Sequence, residues 1–130
     1  MEFKPLFLLI EDNLIDQIVT QQLLKKVFHV EEIIIANNGK EGIEWLQDNK
    51  TNRPFIILLD IQMPIMNGYE FLEEFHKLSE EIKDEVQIYV LSSTLDSAEI
   101  AFIKENQYVI DLFSKPFPVE EFKNRFLTLF

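Results

Sequence analysis

Five polar side chains in this sequence have types and positions suited to metal-assisted chemistry. Each ends or closely follows a short apolar run, and together they comprise three carboxylates, one hydroxyl and one ammonium: Glu11, Asp12, Asp60, Ser92 and Lys115. Oxygen ligands without histidine or cysteine favour Mg²⁺, which binds one or two carboxylates and keeps water positions for a phosphate. If these residues meet in space, they predict a site for a divalent cation and an incoming phosphoryl group.

The elements that must bring these residues together alternate along the chain. Short runs rich in β-branched and aromatic residues occupy residues 7–10, 33–36, 55–59, 88–91 and 109–113, as expected of parallel strands covered on both faces. Between and after them, apolar residues three or four positions apart predict five helices. In chain order the helical stripes are Ile15, Ile18, Val19, Leu23 and Val27; Ile43 and Leu46; Tyr69, Leu72 and Phe75 or His76; Ile100 and Ile103, with Ala101 or Phe102; and Val119, Phe122, Phe126 and Phe130.

This alternation predicts an α/β fold with a doubly wound parallel sheet of five strands and five helices. The common strand order for such a chain is 2-1-3-4-5, as in flavodoxin-like folds, and its ligand crevice lies at the carboxyl ends of strands 1 and 3. Glu11, Asp12 and Asp60 stand at those two ends, with Ser92 and Lys115 at the ends of strands 4 and 5. The acidic run at residues 80–85 is interpreted as a solvated helix end.

Taken singly, these residues have ordinary explanations. Asp60 alone is typical of a turn, Asp12 or Asn13 suits the N-cap of the first helix, and Lys115 alone is an ordinary surface lysine. Convergence from four strands favours the functional interpretation. Carboxylates about 4 Å apart repel by roughly 4 kcal/mol at an effective dielectric of about 20, so the cluster needs a cation or raised pKa values.

Composition excludes several classes of function. The 130 residues include 23 acidic and 12 basic side chains, a net charge of −11, which disfavours binding to nucleic acid. The absence of cysteine excludes disulfides and thiolate chemistry, and two histidines leave little for a zinc site. No apolar run approaches the length of a membrane-spanning helix, and the first residues do not resemble a signal peptide. We therefore expect residues 1–130 to form one cytoplasmic domain with no output domain.

Four motifs resemble those of a response-regulator receiver domain, the phosphorylated module of two-component signalling, of the stand-alone chemotaxis-regulator type. They are Leu8-Leu-Ile-Glu-Asp12, Leu58-Leu-Asp-Ile-Gln-Met-Pro-Ile-Met-Asn-Gly68, Tyr89-Val-Leu-Ser92 and Phe113-Ser-Lys-Pro-Phe117. Their order and spacing extend the resemblance from residue 7 to residue 130.

The resemblance implies a role for each candidate residue. Asp60 would accept a phosphoryl group from a sensor histidine kinase or a histidine phosphotransfer protein. Asp12 and Asp60 would bind Mg²⁺ together with the backbone carbonyl of Gln62, and Glu11 would hold a metal-bound water. Lys115 would pair first with Asp60 and then with a phosphoryl oxygen.

The strand-4 hydroxyl and the loop before the third helix carry further implications. Ser92, rather than Ser93, would reach the phosphoryl group through its hydroxyl. The pair Asn67-Gly68 allows a positive φ in the loop before the third helix.

Two features bear on the switch and the output. In the family, the residue three positions before the lysine is an aromatic side chain that rotates when the domain is phosphorylated. This chain has Leu112 there, so the resemblance implies only a movement of Ser92 that repacks Leu112. With no enzymatic activity expected beyond self-phosphorylation and self-dephosphorylation, output would be the binding of a protein target or the onward transfer of the phosphoryl group. The implied surface is the fourth helix, fifth strand and fifth helix, with candidate contacts Phe102, Leu112, Phe122 and Phe126.

Three alternatives compete with this interpretation. A phosphohydrolase with an aspartyl-phosphate intermediate usually has a second Asp two residues after the nucleophile, where this chain has Gln62. A flavin-binding module would need a Ser-, Thr- or Gly-rich loop after strand 1, where Glu11 and Asp12 would repel a phosphate. A receiver that serves only as a non-phosphorylated protein-binding scaffold is the remaining alternative.

Overall fold

A computed structural model describes residues 6–30, 32–49, 55–61, 65–84, 86–93, 96–115 and 117–128, with side chains to residue 124. Within these ranges there are five strands and six helices. The strands are β1 (Leu6–Ile10), β2 (Ile33–Ala36), β3 (Phe55–Asp60), β4 (Val86–Ser92) and β5 (Val109–Ser114). The helices are α1 (Leu14–Phe28), α2 (Gly39–Asp48), α3 (Gly68–His76), α4 (Glu80–Lys83), α5 (Ser97–Glu105) and α6 (Val119–Thr128).

The strands form one parallel sheet in the order β2-β1-β3-β4-β5, which confirms the predicted fold. Every residue of the central strand β3 is buried, as expected where both faces are covered by helices. Asp60 pairs with Leu91 and Ser92 pairs with Ser114, so β3, β4 and β5 end at nearly the same level. The predicted strand positions were right, although β4 extends beyond the apolar run at both ends.

Alternation along the strands sends side chains into two apolar layers. On one face, Leu8 and Ile10 pack in a cluster with buried side chains of α2, α3 and α5. On the other face, Phe7 and Leu9 pack in a cluster that includes Leu24 of α1 and Phe122 of α6. The period of two in a strand and the length of the apolar runs therefore produce the doubly wound arrangement.

The sixth helix is short and was not predicted as a separate element. The acidic stretch does not end the preceding helix. It forms a separate helix, α4, which begins after Ser79. Lys77 closes α3, and its N–H bonds back to the carbonyls of Glu74 and Phe75. None of the helices in the described ranges is both long enough and apolar enough to span a bilayer.

The predicted buried stripe of α1 is wrong in its first half, although Leu23 of the same stripe packs against the apolar cluster around Phe7 and Leu9. The buried side chains of this helix are Gln17, Thr20 and Leu24, whereas Ile15 is 71% and Ile18 is 47% exposed. Hydrogen bonds explain why Gln17 is buried: its amide donates to the Glu11 carbonyl at 2.5 Å and to Asn37 Oδ1 at 2.8 Å. These hydrogen bonds satisfy a buried amide and turn the apolar stripe toward solvent.

The loop before α3 also differs from expectation. Its left-handed residue is Ile65, with φ of 70°, and no glycine in the described ranges has positive φ. Gly68 is needed instead for close approach, because its N–H donates to the Ile61 carbonyl at 3.0 Å. A Cβ at Gly68 would lie 2.8 Å from Ile61 Cα and 3.1 Å from the Asp60 carbonyl oxygen.

We therefore expect Gly68→Ala to lower the free energy of unfolding by about 1–3 kcal/mol, because backbone atoms must move to admit the methyl group. Gly42→Ala is the matched control, since a Cβ there would first meet Ile10 Cδ1 at 2.6 Å, the far end of a side chain. Urea denaturation of both variants tests the prediction. A larger loss in the free energy of unfolding for Gly42→Ala than for Gly68→Ala would contradict the prediction.

Candidate functional site

The site lies at the carboxyl edge of the sheet, where the strand order reverses between β1 and β3. The chain is held there just beyond two strands: the Glu11 N–H donates to the Ala36 carbonyl at 3.0 Å, and the Lys115 N–H donates to the Ser92 carbonyl at 2.8 Å. Both bonds continue the sheet one residue past its regular end. They fix the backbone of a buried carboxylate and of the lysine that faces it.

Three carboxylates meet at this edge, as the sequence predicted. Glu11, Asp12 and Asp60 each offer one oxygen within 4.8 Å of the other two. Glu11 is 2% and Asp60 4% exposed, while Asp12 faces solvent. The cap of α1 is Asn13, whose Oδ1 accepts from the Asp16 N–H at 2.9 Å, so Asp12 is not occupied as the helix cap.

Lys115 reaches into this cluster from the end of β5. Its Nζ lies 2.6 Å from Glu11 Oε1, 3.0 Å from Asp16 Oδ2 and 3.5 Å from Asp60 Oδ2. The shortest two contacts are charge-assisted hydrogen bonds, and the third is an ion pair of longer range.

Asp16 was missed by sequence reasoning. It lies one turn into α1, and the only signal was an acidic residue in the first turn of a helix, where such residues are common because they favour the helix dipole. Its position beside Lys115 depends on how α1 is rotated, which the apolar stripe predicted wrongly.

The buried charges perturb one another strongly. Burial, followed by a hydrogen bond and repulsion from Asp60, raises the pKa of Glu11 from 4.5 to about 8, against the lowering effect of Lys115. Burial alone lowers the pKa of Lys115, but hydrogen bonds to Glu11 and Asp16 and the charge of Asp60 raise it on balance. The raised pKa of Glu11 means that the cluster favours binding of a proton, which a dication at the same oxygens would displace.

The donor set suits a hard cation. The described ligands are carboxylate oxygens, with no histidine or sulfur in the cluster, and this chemistry fits Mg²⁺. The predicted carbonyl ligand, Gln62, lies outside the described residues.

Ser92 lies at the end of β4, whereas Leu112 lies within β5. Ser92 is 5% exposed at the last position of β4, whereas its neighbour Ser93 is exposed. Leu112 pairs with Val90, is half-buried and packs against the cluster beneath α2, α3 and α5. The neighbouring aromatic residue, Phe113, belongs to the opposite cluster, so its ring does not occupy the position of the Leu112 side chain.

A comparison with known families decides the classification. Residues 7–127 match the family described as the response regulator receiver domain. The chain belongs to this family. The resemblance found in the motifs is confirmed, and the receiver type is that of CheY-like domains of two-component systems.

Individual relatives agree with this assignment. The probable C4-dicarboxylate response regulator DctR of Bacillus subtilis (strain 168) is 32% identical over 116 residues, which cover 89% of this chain and 48% of DctR. The hybrid signal transduction histidine kinase D of Dictyostelium discoideum is 32% identical over 126 residues, 97% of this chain and 8% of that protein. The receiver thus spans less than half of the length of these relatives.

Solved structures share the fold. A response regulator receiver protein from Dyadobacter fermentans DSM 18053 superposes with a TM-score of 0.82 at 28% identity, covering 95% of this chain and 98% of that one. The receiver domain of sensor histidine kinase PA1611 from Pseudomonas aeruginosa PAO1, at 22% identity, TM-score 0.72 and 92% coverage of both chains, has a magnesium ion coordinated in its active site cleft.

The raised pKa of Glu11 predicts how stability depends on pH without Mg²⁺. Between pH 4.5 and about 8 the folded state binds a proton that the unfolded state has released, so the free energy of unfolding falls as pH rises through this window. We expect this group to contribute a fall of more than about 1.4 kcal/mol, the equivalent of one pKa unit.

Urea denaturation in a chelating buffer at several pH values measures this slope. Glu11→Gln is the matched control, because its neutral amide has nothing to titrate while the other carboxylates remain. The free energy of unfolding of the wild type should fall relative to that of Glu11→Gln as pH rises. Parallel curves for wild type and Glu11→Gln would contradict the assignment of the proton to this site.

Proposed function

We propose that this receiver accepts a phosphoryl group on Asp60 from a sensor histidine kinase or a histidine phosphotransfer protein, in the cytoplasm and with Mg²⁺. The observation that carries the proposal is the placement of Asp60. It is a carboxylate 4% exposed at the end of the central strand, grouped with Glu11 and Asp12 and 3.5 Å from the ammonium of Lys115.

The reaction proposed is a displacement at phosphorus. A carboxylate oxygen of Asp60 attacks the phosphorus of a phosphohistidine, a P–O bond forms as the P–N bond breaks, and the imidazole nitrogen leaves with the bonding electron pair and takes a proton from solvent. Asp60 becomes an acyl phosphate, which water later hydrolyses. We propose no reaction of this chain beyond this phosphorylation and the hydrolysis of the acyl phosphate, which releases inorganic phosphate and restores the Asp60 carboxylate.

Asp12, Asp60 and the carbonyl of Gln62 are the proposed Mg²⁺ ligands, with Glu11 acting through a bound water. When bound, the cation supplies positive charge that screens carboxylate from phosphate. The raised pKa of Glu11 supports this assignment, because a buried carboxyl that retains a proton is one whose charge lacks compensation.

Lys115 and Ser92 are proposed to bind the transferred group. Charge spreads over the equatorial oxygens of phosphorus during transfer, so one ammonium and one hydroxyl at fixed positions stabilise it. Lys115 comes from β5 and Ser92 from β4, and the bond from the Lys115 N–H to the Ser92 carbonyl ties the two positions together.

The exposed stripe of α1 is proposed as the docking surface for the phosphoryl donor. Leu14, Ile15, Ile18 and Val19 are 67%, 71%, 47% and 42% exposed, a concentration of large apolar side chains that free surfaces seldom carry. They lie on the helix that follows Glu11 and Asp12 directly. A donor helix packed here would sit beside the phosphoacceptor.

For output, we propose that phosphorylation alters a protein-binding surface formed by α5, β5 and α6, with Ser92 and Leu112 as the switch. Phe102 is 55% exposed and available to a target. Phe122 is fully buried, with its ring centre 4.9 Å from that of Tyr89, so its contact with a target would require this surface to repack. Phe126 lies beyond the described side chains. The excess of acidic residues supports a protein target over nucleic acid.

Intact mass after incubation with Mg²⁺ and acetyl phosphate tests the phosphoacceptor. We expect the wild type and Asp48→Asn, an exposed aspartate at the end of α2, to gain one phosphoryl group, and Asp60→Asn to gain none. Phosphorylation of Asp60→Asn would refute the assignment. If the wild type binds Mg²⁺ but gains nothing from acetyl phosphate or any phosphohistidine protein, the scaffold alternative is favoured.

Substitution on α1 tests the docking surface separately from the chemistry. With a phosphohistidine protein that phosphorylates the wild type, we expect Ile15→Ser/Ile18→Ser to slow transfer about tenfold or more, as loss of an interface hot spot does. The rate with acetyl phosphate should be unchanged. Phe102→Ser, an exposed apolar residue on another face, is the control, and equal slowing by both variants would contradict the assignment of α1.

A further inference from the structure

Lys115 is shared among three carboxylates, and the phosphoacceptor is the most distant of them. Its Nζ hydrogen-bonds to Glu11 at 2.6 Å and to Asp16 at 3.0 Å, but lies 3.5 Å from Asp60. A charge-assisted N–H···O bond is usually about 2.7–2.9 Å long. In this state the ammonium is therefore bound to Glu11 and Asp16 and only paired at longer range with Asp60.

We propose that Asp16 is a positioning residue that restrains Lys115 away from Asp60 and slows phosphorylation until the contact is released. The inference rests on the proposed function of Asp60 and adds a residue to it. Asp16 contacts the site through its ion pair with the ammonium of Lys115, and we expect it to act through the lysine.

The surroundings of Asp16 support a restraint that can be released. Its side chain is 41% exposed, whereas Glu11 is 2% exposed, so the Asp16 carboxylate is the weaker and more accessible of the two anchors. Its N–H is bound by Asn13, which fixes the start of α1 and hence the position of the carboxylate relative to β5. An ion pair that is partly open to water can break at low cost.

The same residue connects the site with the proposed docking surface. Asp16 follows Ile15 and, together with Val19, Lys115 and Phe117, lines a small cleft between α1 and the residues after β5. A donor protein packed on the apolar stripe of α1 would cover this cleft. Docking would thus change the surroundings of a carboxylate that holds the lysine required for phosphoryl transfer.

The rate of Asp60 phosphorylation by acetyl phosphate at saturating Mg²⁺, followed by intact mass, tests the proposal. We expect Asp16→Asn to raise the rate about two- to fivefold, the effect that releasing a partly exposed ion pair supports. Asp48→Asn removes the same charge from α2 and should leave the phosphorylation rate unchanged. It therefore controls for the effect of net charge on the attraction of an anionic phosphoryl donor. An unchanged or lower rate in Asp16→Asn would overturn the proposal.

A double-mutant cycle shows whether Asp16 acts through Lys115. In a Lys115→Ala background, Asp16→Asn should no longer change the phosphorylation rate, and an increase that persists there would overturn the proposal. The cycle is repeated on the unfolding equilibrium without Mg²⁺, which remains measurable if Lys115→Ala phosphorylates too slowly. There, Asp16→Asn should raise the unfolding constant only when Lys115 is present, and equal effects in both backgrounds would count against the contact.

The outcomes also separate this inference from the proposed function. A wild type that is never phosphorylated would refute the role of Asp60, while the unfolding cycle still decides whether Asp16 binds Lys115. A wild type that is phosphorylated normally, with no rate change in Asp16→Asn, would leave Asp60 as the acceptor and remove Asp16 from the account.

Discussion

Repulsion between carboxylates that the sheet forces together is the constraint on which the rest of this site depends. Glu11 and Asp60 are almost completely buried at the ends of neighbouring strands, and Asp12 adds a third carboxylate at the surface. Charges in such a setting must be neutralised, paired or protonated. The structure uses Lys115 for pairing and raises the pKa of Glu11 to about 8, so part of the charge is removed by a proton. A divalent cation would offset the negative charge that remains on these oxygens.

The fold supplies this constraint through the central strand. Residues Phe55 to Asp60 are buried on both faces, and five parallel strands place their carboxyl ends along one edge. The edge is stiffened where chemistry is proposed: Lys115 is bonded to the backbone of Ser92, and Gly68 lets the start of α3 sit directly against Ile61. Two apolar layers on either side hold the strands in register, so the polar groups at the edge have little freedom to move apart.

Much of this could be predicted from sequence because it depends on local pattern. Unbroken apolar runs identify buried parallel strands, and the residue after each run is then placed at the crevice by topology, which is how Asp60, Asp12 and Lys115 were found. What failed depends on interactions between elements. The rotation of α1 is set by hydrogen bonds of Gln17 to Glu11 and Asn37, which hydropathy does not encode, and with the wrong rotation Asp16 could not be recognised as a partner of Lys115. The left-handed residue in the β3–α3 loop is Ile65 and not Gly68. Glycine is required at position 68 because the backbone there packs closely against Ile61, and such tertiary packing is not visible in the sequence.

The most direct test of the central claim is a crystal structure of this chain grown with Mg²⁺ and beryllofluoride, a mimic of the phosphoryl group. We expect the metal to be bound by oxygens of Asp12 and Asp60, the beryllium to be bonded to a carboxylate oxygen of Asp60, and the ammonium of Lys115 to lie against a fluorine with its bond to Asp16 broken. A structure in which Mg²⁺ and beryllofluoride bind elsewhere, or in which Glu11, Asp12 and Asp60 remain as they are with no ion between them, would contradict the account.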